Sequence, residues 1–242
     1  FFNTLKNNRF IVPSAVDEAE TLIHQWEKND DDESSFGIII NPTLNCNMRC
    51  WYCYEEHGGK QTMTEDTRKA ICRFIDDKVS DSKLKTLNVS FFGGEPLLFF
   101  NDCVLPILQY AAKKCQEKSI TLYSNFTTNA VLLTDKVIEA LNALPLGKKA
   151  TFQITFDGNR DVHNKTRIGL NKKPTYDIIL HNMYSALQHG NEISARCNYT
   201  YDNILTFSDV LEDFMALGLN NYKEVFSVKF EHVWQDGKNL SK

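Results

Sequence analysis

The chain has 242 residues, 42% of them hydrophobic and 24% charged, with 27 basic against 31 acidic residues for a formal charge of −4. This is the make-up of a globular protein with one principal core, and it lacks the basic stripe that neutralises phosphates, which argues against nucleic acid as a partner. No apolar run reaches the roughly 18 residues that span a bilayer, and the start at Phe1 has no signal-peptide pattern, so no membrane partner and a cytoplasmic location are expected.

In chain order, the first segment reads as a short extended piece, Phe10-Ile11-Val12-Pro13, and then a helix with Val16, Ala19, Leu22, Ile23 and Trp26 on one face. Residues 1–28 are thus an N-terminal appendage. The acidic run over residues 29–35 has like charges that repel and nothing to bury, which predicts a solvated linker. Residues 36–242 form the main domain. The absent initiating Met and the end at Asn239-Leu240-Ser241-Lys242 read as a piece of a longer chain.

Within the main domain, strand-length apolar runs alternate with helical patterns. Strands are predicted over 36–44, 87–92, 120–127, 150–156, 193–199 and 225–234, and helices over 64–79, 102–116, 134–144, 176–189 and 207–217. Thr62 and Glu65 are spaced as a capping box, and Thr134 can cap before Asp135. The alternation implies an α/β fold with parallel strands and right-handed crossovers. Six strands permit either a doubly wound sheet or a partly closed barrel, and propensity does not separate them.

Seven cysteines without a secretory signal point to reduced thiols or metal ligands rather than disulfides. Cys72, Cys103, Cys115 and Cys197 are scattered and read as small buried hydrophobes. Cys46, Cys50 and Cys53 instead crowd the loop after the first strand, at the carboxyl end where such sheets place ligands. Three thiolates from one loop can hold three irons of a cubane and leave the fourth open, whereas structural zinc usually takes four ligands. A zinc site completed by His57 or a distant group is the alternative.

The spacing of Cys46, Cys50 and Cys53, with Tyr52 before the last, resembles the signature of the radical S-adenosylmethionine (SAM) superfamily. Phe92-Gly93-Gly94-Glu95-Pro96 after the second strand resembles its glycine-glycine-glutamate motif. Thr155-Phe156-Asp157-Gly158, then His163 and Arg167, is similar to the branch of anaerobic sulfatase maturases and SPASM-type peptide maturases. Thr128-Asn129-Ala130 resembles a family Thr-Asn-Gly stretch, with Ala130 in place of the glycine, which leaves that turn open.

The resemblance implies a partial (β/α)6 barrel, a 4Fe-4S cluster on Cys46, Cys50 and Cys53, and SAM as second cofactor. It implies that Gly93, Gly94 and Glu95 meet the SAM ammonium group, that Arg167 grips its carboxylate with Thr155 beside it, and that Asp157 and Asn198 lie near the ribose. Tyr52 and the backbone near Val228 would border the adenine. The implied activity is reductive cleavage of SAM to a 5'-deoxyadenosyl radical that abstracts hydrogen from a peptide or protein, with flavodoxin or ferredoxin as reductant. Relatives carry a further cysteine-rich SPASM domain, so a substrate-side acid or base is expected beyond residue 242 and no catalytic residue is assigned. The appendage resembles part of a peptide-recognition module in some relatives. The alternatives are a radical enzyme acting on a small molecule, a glycyl-radical activase, and a non-catalytic zinc or iron-sulfur protein.

Overall fold

The computed structural model describes residues 2–7, 11–14, 16–30, 32–55, 62–170 and 172–234. Two helices, α1 (Phe2–Asn7) and α2 (Glu18–Asp30), precede the sheet. Helix α1 was not expected, Phe10 lies outside the described residues, and Ile11 to Pro13 form no strand. The apolar residues Leu22, Ile23 and Trp26 of α2 are exposed.

The expected linker is shorter than its charge implied. Helix α2 continues to Asp30, and Ser35 already pairs in the first strand. Between them Glu33 forms an ion pair with Lys83, and the Ser34 carbonyl accepts from Lys85 N at 2.7 Å and Thr86 N at 3.0 Å. Opposite charge from another segment outweighs the local repulsion.

Six strands follow: β1 (Ser35–Ile40), β2 (Thr86–Phe91), β3 (Thr121–Thr128), β4 (Thr151–Phe156), β5 (Glu192–Tyr199) and β6 (Phe226–His232). They are all parallel and lie in sequence order, β1-β2-β3-β4-β5-β6. A doubly wound sheet reverses its strand order; this one does not, so right-handed crossovers keep the helices on one face. The crossovers are α3 (Glu65–Val79), α4 (Leu105–Lys118), α5 (Asp135–Asn142), α6 (Arg160–Thr166) with α7 (Tyr176–Gln188), and α8 (Phe207–Ala216). Among the described residues β1 and β6 do not pair, so the sheet is an open, partial barrel.

Burial alternates strictly along β2 and β3, and over most of β4 and β5. One set of positions, Leu87, Val89, Phe91, Leu122, Phe126, Phe152, Ile154, Ile193 and Ala195, is buried against the helices. Phe91, Phe126 and Phe152 are cross-strand neighbours whose rings stack with centroids 5.2 Å apart at each step. Burying each such ring stabilises by roughly 1.5–3 kcal/mol. The opposite positions, Ser90, Asn125, Thr127, Gln153, Ser194 and Arg196, are polar and half-buried. A parallel sheet covered on both faces would be apolar on both; here the second face is the wall of an interior.

Helix α3 is capped by Thr64, whose hydroxyl accepts from Thr67 N at 3.2 Å, rather than by Thr62. Thr134 occupies the cap position of α5 without a side-chain bond.

Candidate functional site: a three-cysteine loop at the mouth of the barrel

β1 ends at Ile40, and the loop that follows carries Cys46, Cys50 and Cys53 over the carboxyl ends of the strands. Two backbone ties hold it: Arg49 N donates to Ile168 O at 2.8 Å, and Leu170 N to Asn47 O at 3.0 Å. Met48, 1% exposed, is its anchor into the core. The three thiols are free. Burial pushes the Cys46 thiol up to about 11 and raises Cys50, with Arg167 opposing the rise at Cys50. Iron would displace those protons, since only thiolates ligate. Among the described residues no three His, Cys, Asp or Glu side chains converge on one point, as a lone ion would need; a cubane takes one thiolate per iron, so its ligands stand apart. His57 lies outside the described residues.

The turn after β2 supports this loop from beneath. Gly94 N donates to Thr43 O at 3.0 Å and Glu95 N to Asn45 O at 2.9 Å. A Cβ on Gly94 would lie 2.2 Å from Asn45 O, and one on Gly93 2.5 Å from Thr43 O, so this approach needs both glycines. Glu95 is fully buried. Its Oε1 accepts from Thr128 Oγ1 at 2.8 Å and Leu97 N at 3.0 Å, and its Oε2 from Asn129 N at 2.7 Å. It braces the ends of β2 and β3, and burial raises its pKa against those donors. Asn129, not singled out among the candidate residues, donates to Cys46 Sγ at 3.6 Å and Asn47 Oδ1 at 2.6 Å; its place in the Thr-Asn-Ala stretch was the available signal.

The end of β4 brings in the other side. Helix α6, missed in the sequence because it has only 7 residues, starts at Asn159, whose side chain accepts from Val162 N at 3.2 Å. It turns the chain so that His163 Nδ1 accepts from Asp157 N at 3.4 Å and Arg167 points inward, 8% exposed. Burial, reinforced by Arg167, holds His163 neutral. Arg167 Nη1 donates to the Tyr52 hydroxyl at 2.8 Å and to Asp157 Oδ2 at 3.3 Å. The Tyr52 hydroxyl also receives Asn198 Nδ2 at 3.2 Å, and Asn198 Oδ1 receives Arg196 Nε at 2.9 Å. Burial works against the Arg167 charge, but Tyr52, Cys50, Asp157 and Cys46 around it keep the guanidinium protonated. Its Nε is buried with no hydrogen-bond partner.

A cavity of about 300 Å³ opens beside this network, lined by Tyr52, Cys53, Thr155, Arg167 and Asn198 among others. Gly93, Gly94, Glu95 and Asp157 are not among the residues that line it. Val228 is not brought to the cavity: it pairs with Ala195 in mid-strand, and its side chain packs on the helix-facing core. Strand β6 reaches the cavity later, at His232, Val233 and Trp234, because ligands sit beyond the carboxyl ends of the strands.

Residues 40–217 match the family model of the Radical SAM superfamily. The chain belongs to this superfamily. Its members use SAM and a 4Fe-4S cluster. The chain is 25% identical over 156 residues to a cysteine-type anaerobic sulfatase-maturating enzyme of Clostridium novyi, covering 62% of this chain and 40% of that protein. It is also 25% identical over 190 residues to an uncharacterized protein of Methanocaldococcus jannaschii, covering 76% of this chain and 60% of that one. Native anSMEcpe with bound AdoMet and Kp18Cys peptide shares the fold at a TM-score of 0.67 and 17% identity, over 82% of this chain and 51% of that one. Streptococcus suis SuiB bound to its precursor peptide SuiA shares it at a TM-score of 0.55 and 17% identity, over 91% and 46%. The chain thus spans about half the length of these relatives.

The residues fit the family's cofactors. Three thiols on one loop supply the donor set, the Gly93-Gly94 turn packs tightly beneath that loop and holds it in place, and the orphaned Arg167 Nε awaits an acceptor.

Proposed function

We propose that this chain is the radical-generating part of a peptide- or protein-modifying enzyme of the sulfatase-maturase and ribosomal-peptide-maturase branch. One observation carries the reading: a buried Arg167 with a partnerless Nε stands within electrostatic reach of Cys46 and Cys50. A buried guanidinium donor without an acceptor costs stability unless a ligand completes it. When bound, the cluster and SAM supply one-electron cleavage to a 5'-deoxyadenosyl radical that abstracts hydrogen.

The chain's own residues do the rest. Cys46, Cys50 and Cys53 hold the cluster. Arg167 takes the SAM carboxylate through the free edge of its fork, a planar donor suited to a planar anion, with Thr155 beside it. Tyr52 and Asp157 keep that fork oriented, and Asn198 lines the ribose side. Gly93 and Gly94 offer carbonyls to the ammonium group, while Glu95 acts on it through charge and through the loop it braces. The backbone at the end of β6, rather than Val228, borders the adenine. The polar barrel wall aligns the substrate and excludes water.

A peptide or protein substrate is supported by the relative named for sulfatase maturation and by structural neighbours with a peptide bound. In this reading residues 1–28 are an appendage to the core, flavodoxin or ferredoxin is the reductant, and the protein works in the cytoplasm.

The test is anaerobic reconstitution with iron and sulfide, addition of dithionite and SAM, and assay of 5'-deoxyadenosine, with a Cys46, Cys50, Cys53 to Ala triple variant alongside. Product from the native chain and none from the variant is expected. A chain that forms no cluster under these conditions, and that binds zinc when zinc is supplied instead, overturns the reading.

A further inference from the structure

Below the three-cysteine loop, the barrel wall carries two positive side chains to which the proposed cofactor site gives no ligand of their own, although Arg196 holds Asn198 through its Nε. Arg196 on β5 and Lys229 on β6 are register partners and point to the same face. Arg196 lines the upper cavity; Lys229 lines a second cavity of about 360 Å³ beneath it, and the two cavities share Phe92, Thr127 and Gln153. Like charges directly opposed across two strands are destabilising.

Among the described residues no carboxylate relieves them: neither Arg196 nor Lys229 forms an ion pair. Arg196 spends its Nε on Asn198, which leaves both Nη groups for a ligand. Its charge reaches Asp157, but that carboxylate is committed to Tyr52 and Arg167. Glu231 stands two register positions higher on the same face, opposite Asn198; like Lys229 it is exposed on the edge strand, and among the described residues it forms no ion pair with either cation. The wall at this level is otherwise neutral and polar: Thr155 is the register partner of Arg196, and Gln153 of Ser194.

We infer that Arg196 and Lys229 form a subsite for a carboxylate of the substrate, held in the barrel interior next to the SAM cavity. This rests on the proposed function, in which SAM's single carboxylate goes to Arg167 and leaves these two cations for the second reactant. A guanidinium fork and an ammonium on adjacent strands, with side-chain origins about 5 Å apart, can both reach one carboxylate. The carboxylate is either an acidic side chain near the reacting residue or the peptide's own terminus.

Three short fluorescent peptides separate the outcomes: one with an internal Glu and an amidated end, the same peptide with Gln, and the Gln peptide with a free carboxylate. Their binding to the anaerobically reconstituted chain with SAM is read by anisotropy. One of the two anionic peptides should bind on the order of tenfold tighter than the neutral one, and which one identifies the source of the carboxylate. Lys229→Gln should remove most of that preference, Lys229→Arg should keep it, and SAM binding by equilibrium dialysis should be unchanged in both. Equal or absent binding of all three peptides, or a preference that survives both Lys229→Gln and Arg196→Gln, overturns the subsite. A charge preference that depends on Lys229 in a chain that binds no SAM would instead sink the radical reading and leave the anion site standing.

Discussion

The Tyr52 hydroxyl donates to both carboxylate oxygens of Asp157, at 3.0 Å to Oδ1 and 2.8 Å to Oδ2, joining the three-cysteine loop to the end of β4. Asp157 is 1% exposed, so the phenol supplies hydrogen bonds that water does not. Tyr52→Phe therefore leaves a buried carboxylate with the longer Arg167 contact, at 3.3 Å, and should cost about 1–3 kcal/mol of unfolding free energy. Iron uptake should persist, because the thiols are untouched, while SAM affinity falls several-fold as Arg167 loses its orienting partner. Denaturant unfolding and a SAM titration check this; unaltered stability and affinity would show that the phenol is dispensable.

Gly94 and Gly37 make a matched pair. A methyl on Gly94 meets Asn45 O at 2.2 Å and Leu44 O at 2.5 Å, both backbone atoms that cannot swing aside, whereas one on Gly37 meets nothing within 4 Å. Gly94→Ala should destabilise by several kcal/mol and displace the cysteine loop, lowering iron per chain after reconstitution. Gly37→Ala, in strand β1, should be neutral or gain up to about 1 kcal/mol. Iron content and melting temperature distinguish the two, and similar behaviour of both variants would refute the close approach.

Ala130 keeps the turn that the family's glycine would make. Its φ is 60°, it is fully buried, and its carbonyl accepts from Asn182 Nδ2 at 2.8 Å. Left-handed backbone costs an alanine about 1–2 kcal/mol. Ala130→Gly relieves this but loses a buried methyl worth about 0.8 kcal/mol and loosens the unfolded chain, so the net change should be small. Ala186→Gly, also fully buried but inside helix α7, has no strain to relieve and should cost about 1.5–2 kcal/mol. Equal losses at the two positions would contradict the strain at Ala130.

Glu95 sets the sign of a pH dependence. Burial raises its pKa above the ordinary value of 4.5, against the bonds from Asn129, Leu97 and Thr128. Between the unfolded and folded values the native chain holds more protons, so this group's contribution falls as pH rises from about 4.5 through the folded pKa. The stability difference between the native chain and Glu95→Gln, measured without cofactors, should therefore shrink from pH 4.5 upward. A difference that grows with pH would mean that the three donors outweigh desolvation.

Much of the core fold was legible because its signals are local. Six strands and five of the crossover helices follow from apolar runs and periodicity, and the cysteine loop from its spacing. The choice between a doubly wound sheet and a barrel came from the family resemblance and not from propensity, and the structure bears it out: Leu87, Val89 and Phe91 alternate with Asn88 and Ser90, which a sheet covered by helices on both faces would not do. Helix α6 was not legible, since its 7 residues are too few for a periodic pattern and it is held by its Asn159 cap and by His163 packing on Phe156 and Tyr176.

By itself the sequence singled out the candidate site residues: three closely spaced thiols, a Gly-Gly-Glu turn, and an Asp and Arg ten positions apart. Only the tertiary structure decided what each one touches. Glu95 braces the ends of β2 and β3, Tyr52 reaches Asp157 across 105 residues, Val228 faces the helices, and Arg196 stands opposite Lys229 in the register of β5 and β6. Those relationships depend on strand register and on the hand of the crossovers, which bring distant residues together only once the whole sheet has formed.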